Sequence, residues 1–142
     1  MGTNYETDVV AWANEQAALL RARKFSALDI EHVAEEIESV GRSEQRELAN
    51  HLALLVANLL KWQYQCGRRS SARRRVIGEL RRLLSIQLQM TPTLQKSLTD
   101  PHWATRVWAD AIVQSVEEIG LALPETCPWT MQQVIDETFL PE

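Results

Sequence analysis

Eight cations crowd residues 61–82: Lys61, Arg68, Arg69, Arg73, Arg74, Arg75, Arg81 and Arg82, against the single acid Glu79. A strip of that sign can follow a phosphate backbone, and Trp62 and Tyr64 beside Lys61 supply rings on which bases stack. At 100° per residue Arg74 stands above Arg81 and Arg75 above Arg82, away from a Val76, Leu80, Leu84 stripe. Lys61, Arg68, Arg69, Arg74, Arg75, Arg81 and Arg82 are therefore candidate contacts to RNA or DNA. The competing expectation is a solvated helix face with local Arg75–Glu79 and Glu79–Arg82 pairs, each contributing about a few tenths of a kcal/mol. The flanks favour it. Residues 1–60 hold five basic and ten acidic side chains and residues 83–142 two and eight, so the chain carries net −4, unlike a dedicated nucleic-acid binder.

A second constellation is a Glu and a His one helical turn apart, occurring twice: His32 with Glu36, and Glu47 with His51. Two helices bearing such pairs face to face could hold a divalent metal. Carboxylate bundle sites typically space Glu and His by three rather than four, so the alternative is an acidic face, with Glu31, Glu35 and Glu38, that partly neutralises the arginines. Asn58 and Lys61 continue the polar strip beyond His51. No serine or cysteine has an activating context near His102, and the five glycines are scattered rather than gathered into a phosphate loop. Cys66 and Cys127 form neither a CxxC nor a disulfide framework. These readings point to no cofactor and to no recognisable catalytic motif.

The elements that would position these residues follow a helical period, with no sustained two-residue alternation. The spacing predicts an all-α fold: a helical bundle of about four to five main helices plus a short C-terminal helix. Expected helices run from about Asp8 to Ala22, Asp29 to Val40, Glu44 to Gln65, Ala72 to Met90 and Pro101 to Ile119, with a turn of helix before Leu98. Asp29 suits an N-cap, Gly41 a C′ position and Ser43 the next N-cap. Ile30, Val33, Ala34, Ile37 and Val40 are expected to face inward. The third helix carries Leu48, Leu52, Leu55, Leu59 and Trp62; the fourth carries Val76, Ile77, Leu80, Leu83, Leu84 and Leu88. Gly120 closes the fifth, and Thr130 with Gln133 has capping-box spacing.

Length and composition, 142 residues with 45% apolar and 24% charged, suggest a single domain over 1–142. The longest apolar run, Leu52 to Leu60, is far short of the roughly 20 residues of a membrane span, and the acidic start lacks a signal-peptide pattern. A cytoplasmic protein without a membrane role is expected.

Several words of the chain, taken in order, form a pattern: Gln16 to Arg21, Ala34–Glu35–Glu36–Ile37–Glu38, Gly41–Arg42–Ser43–Glu44, Leu59–Leu60–Lys61–Trp62–Gln63–Tyr64–Gln65, Cys127–Pro128–Trp129–Thr130 and Phe139–Leu140–Pro141. Together they resemble a bacterial family catalogued as domain of unknown function twenty-nine. The resemblance implies an all-helical, bundle-like protein and supplies no activity. The family pattern often has a histidine where this chain has Asn58 and a tryptophan where it has Ala72. The functional expectation is a non-enzymatic protein-interaction module, with self-association foremost. Nucleic-acid binding through 61–82 is the alternative, and a metal-dependent enzyme on His32, Glu36, Glu47 and His51 comes after it.

Overall fold

The computed structural model describes residues 2–120 and 122–142, with the Arg68 side chain outside the described residues. Its helices are α1 (Val9–Arg21), α2 (Ile30–Tyr64), α3 (Ser71–Met90), α4 (Pro101–Ile119) and the short α5 (Met131–Ile135). Tight 3₁₀ turns occupy Phe25–Ala27, Cys66–Arg68 and Pro92–Thr99. No strand occurs among the described residues, so the fold is all-α.

Local chemistry sets most of the helix ends. Asp8 accepts the Ala11 N–H at 3.0 Å, Ser70 that of Arg73 at 3.1 Å and Asp100 that of His102 at 3.0 Å, each meeting a donor that the first turn leaves unpaired. Pro101 follows Asp100 at the first helical position, where its missing N–H is harmless. Gly120 ends α4 with φ of 67°, a left-handed conformation that a Cβ would strain. Thr130 and Gln133 form the expected capping box.

The break expected at Gly41–Ser43 is absent: α2 runs through it as one helix of 35 residues. A glycine inside a helix costs about 1 kcal/mol and a serine less. Ending one helix there and starting another would leave several backbone groups to be capped or hydrated, so continuity wins. Among the described residues Gly120 is the glycine with positive φ, and Gly41 is not, which removes the premise for a C′ glycine there.

By the contacts of its backbone the chain divides into two compact units, Met1–Glu44 and Gln45–Glu142. In the second, α2 contributes Leu48, Leu52, Leu55, Val56, Leu59 and Leu60 to one core with Ile77, Leu80, Leu84 and Leu88 of α3 and Val107, Trp108 and Ala111 of α4. Leu94 and Leu98 of the 3₁₀ turn and Met131 and Val134 of α5 complete it. Two residues expected inside α3, Val76 and Leu83, are exposed instead. The buried row is Ile77, Leu80, Leu84 and Leu88, rotated toward the Arg81 side of the helix.

The first unit is built differently. Trp12 is its one buried apolar side chain among the described residues, with Gln16 beside it on α1. Ile30, Ile37 and Val40, expected to face inward, are 65%, 68% and 67% exposed. The side of α2 turned toward its own chain is the neighbouring polar one, carrying His32 and Glu36 with Val33 half-buried beside them, because the Tyr5 hydroxyl donates to Glu36 there and the Trp12 indole donates to Asp29 just before the helix.

Candidate functional site

The basic hairpin is largely engaged with its own surroundings. Lys61 Nζ lies 2.6 Å from Glu118 Oε2, and Arg73 Nη2 approaches Glu118 Oε1 at 3.8 Å. Arg73 also donates to Asn58 Oδ1 at 3.4 Å, so the polar strip noted in the sequence binds one of the arginines. Arg69 folds back on Trp62, its Nε donating to the Trp62 carbonyl at 2.7 Å and its guanidinium lying 5.3 Å from the ring centroid. Arg81 is buried and donates from Nε to the Val134 carbonyl at 2.9 Å. Arg74, Arg75 and Arg82 are exposed, with Arg82 at the edge of reach of Glu79 at 4.0 Å. Of the seven proposed nucleic-acid contacts, three are thus held internally, three are open, and the Arg68 side chain lies outside the described residues.

The placement of Arg81 corrects the solvated face drawn for it beside Arg74. It follows Ile77 by four residues and precedes Leu84 by three and Leu88 by seven, spacings that put it on the apolar row. That signal was present in the sequence. What could not be read there was α5, whose carbonyl receives the guanidinium.

The four candidate metal ligands do not meet as proposed. His32, Glu36, Glu47 and His51 lie along the single helix α2 rather than on two facing helices. Among the described residues no group of three or more His, Cys, Asp and Glu side chains could hold a metal ion. His32 and Glu36 instead enter a network in the first unit that sequence reasoning missed. Asp29 accepts the Trp12 indole N–H at 3.0 Å and meets His32 Nδ1 at 2.7 Å, while its backbone N–H donates to Gln16 Oε1 at 2.8 Å. The His32 ring stacks on Tyr5 with centroids 4.1 Å apart, and the Tyr5 hydroxyl donates to Glu36.

The electrostatics follow from these contacts. The bond to Asp29 raises the His32 pKa above its ordinary 6.5, opposed by burial. The same bond lowers Asp29, aided by the Trp12 indole. Glu36 raises the Tyr5 hydroxyl, since ionising it would remove the donor from a carboxylate. The one local clue was the Asp29 to His32 spacing of three residues within a first helical turn.

Two of the hollows in the second unit include residues singled out in the sequence. One, of about 560 Å³, is lined by Asp100, Pro101, Trp108, Cys127, Trp129 and Met131 among others. Burial pushes the Cys127 thiol above its ordinary range, the opposite of what a nucleophile at neutral pH requires. The other, of about 320 Å³, lies along α3 and is lined partly by Arg81. No helix among the described residues is long and apolar enough to cross a membrane.

The chain matches the family described as Domain of unknown function DUF29 over residues 4–140, and it belongs to that family. No curated protein and no solved structure gives a significant match.

Proposed function

We propose that this member of a family without an assigned activity is a protein-interaction module that pairs with a second copy of itself through the helices of its first unit. The observation that carries the reading is the outward row Ile30, Ile37 and Val40 on α2, each about two-thirds exposed. Val9, Val10 and Leu20 add exposed apolar surface on α1. A unit of 44 residues with one buried apolar side chain is at the size where oligomerisation usually supplies the missing core. Apolar surface gathered in this way marks an interaction face more often than scattered single residues do.

A second copy is the occupant that fits. The positions 30, 33, 37 and 40 alternate by three and four with Ile and Val, the spacing of a coiled-coil seam, which is self-complementary about a two-fold axis. Sedimentation equilibrium at micromolar concentration tests this. The wild-type chain sediments as a dimer and Ile37→Glu as a monomer with unchanged helical content. A wild-type chain that stays strictly monomeric removes the reading.

The nucleic-acid alternative draws on the exposed Arg74, Arg75 and Arg82. Its support is reduced by the internal partners of Lys61, Arg69 and Arg81. Binding of mixed oligonucleotides that weakens steeply with salt, with a slope flattened by Arg74→Glu, would favour it over pairing.

A further inference from the structure

The helix α3 carries a second apolar row outside the core. Val76, Leu83, Ile86 and Met90 are 44%, 49%, 45% and 80% exposed, while Ile77, Leu80, Leu84 and Leu88 fill the core from an adjoining side of the same helix. Positions 76, 79, 83, 86 and 90 alternate by three and four residues, and at 100° per residue they fall within an arc of about 80° and run about 21 Å along the helix. That is the narrow stripe of a coiled-coil seam, not the broader face by which a helix joins a globular core. Glu79, also exposed, is the polar member of the row.

The charge beside the seam is of one sign. Arg75 and Arg82 are exposed, and each stands one residue before a member of the row, Val76 and Leu83, the position from which charged side chains reach across such a seam. The contact of Arg82 with Glu79 is at 4.0 Å between well-exposed groups, too weak to hold the arginine from a partner.

These features discriminate among occupants. A phosphate backbone would use the arginines and leave the apolar row uncovered, and an anionic lipid surface would press its headgroups on Glu79. A second copy of α3 offers no acid to the arginines: antiparallel pairing sets Arg75 and Arg82 against their own counterparts, and parallel pairing sets them against Leu80 and Gln87. The exposed row of α2 has acids at the corresponding flank, Asp29 and Glu36, but both are engaged within their own chain, Asp29 by Trp12 and His32 and Glu36 by Tyr5.

We propose that this face of α3 docks an acidic amphipathic helix of another protein, its apolar seam laid on Val76, Leu83, Ile86 and Met90 and its carboxylates, seven residues apart, set against Arg75 and Arg82. The face lies wholly within the second unit, so its occupancy does not depend on pairing through the first.

Fluorescence anisotropy of a labelled synthetic helix against the full chain tests the proposal. The probe is about three heptads long, with Ile and Leu at its seam positions and Glu at both flanks; a second peptide carries Lys at the flanks and a third Ser in the seam. The Glu-flanked peptide binds one per chain, at least about tenfold more tightly than either control, and weakens as salt rises. Both α3 variants change exposed side chains and leave melting nearly unchanged. Leu83→Ser weakens the Glu-flanked peptide by about tenfold, and Arg82→Glu reverses the preference between Glu and Lys flanks. Absence of binding overturns the proposal, as does equal binding of all three peptides or affinity retained in both variants. If sedimentation shows that Leu83→Ser, and not Ile37→Glu, abolishes self-association of the chain, a second copy occupies the face and the proposal falls. Anionic vesicles bound by the wild-type chain and released by Leu83→Ser overturn it in favour of a lipid surface.

Discussion

Two alanine substitutions on α2 separate its two kinds of apolar residue. Leu55 is 0% exposed and belongs to the core that residues of α2, α3 and α4 share in the second unit. Leu55→Ala removes the transfer free energy of the lost carbons and leaves a cavity that close-packed neighbours refill only in part, together about 3–4 kcal/mol. For a unit of this size each kcal/mol lowers the melting temperature by about 4–8 °C, so the fall is roughly 12–30 °C. Ile37, two-thirds exposed, has little to lose within its own chain. Ile37→Ala costs a separated copy about 0.5 kcal/mol or less.

The two also differ in how they respond to concentration. A dimer melts higher as protein concentration rises, because association draws on the folded state alone. Urea and thermal unfolding at a low and a high protein concentration give the comparison. Leu55→Ala loses its increment equally at both, whereas Ile37→Ala melts nearly like wild type at the low concentration and falls behind at the high one. A loss below about 1 kcal/mol for Leu55→Ala would refute the central placement of that side chain. An equal loss for Ile37→Ala at every concentration would show that Ile37 is buried within its own chain.

Gly120→Ala forces a Cβ into a left-handed conformation and destabilises α4's end by about 1 kcal/mol in urea unfolding, whereas the same change at Gly78, inside α3 with nothing within 4 Å of an added Cβ, is neutral or stabilising. The His32–Asp29 pair sets a pH window: the raised His32 pKa gives stability that is complete below the ordinary 6.5 and lost as pH rises through the folded value, while the lowered Asp29 pKa gives stability complete above 3.8 and lost as pH falls through its folded value. The pair therefore contributes most between those two ordinary values, and NMR titration finds His32 above 6.5 in the wild type and lower in Asp29→Asn; a wild-type midpoint at or below 6.5 contradicts the bond. Glu118→Gln weakens the contacts of Lys61 and Arg73, with a stability cost within about 1 kcal/mol because the carboxylate is partly exposed. If oligonucleotide affinity at low salt does not rise in that variant, the freed cations are not part of a nucleic-acid surface.

What could be read from the sequence, and what could not, divides by the range of the interaction. Asp8, Ser70, Asp100, Gly120 and Thr130 mark helix ends because each acts on backbone groups within three or four residues, so neighbours in sequence suffice. Gly41 and Ser43 carried the same local signature and failed, since a cap residue permits an end without requiring one, and the propensity cost of continuing is small. Periodicity identified the faces of α2 and α3 but not their neighbours. A row such as Ile30, Ile37 and Val40 looks like core from spacing alone; what turns the other side of α2 inward is a set of polar partners drawn from α1 and the segment before it, Tyr5 to Glu36 and Trp12 to Asp29. Arg81 is the converse, a charge on an apolar row made tolerable by a carbonyl 53 positions away. In both cases a few directional bonds outweigh the preference that residue type would suggest. The consequence for function is that apolar surface stays outside in one unit, while a cation stays inside in the other, with one donor unpaired among the described residues.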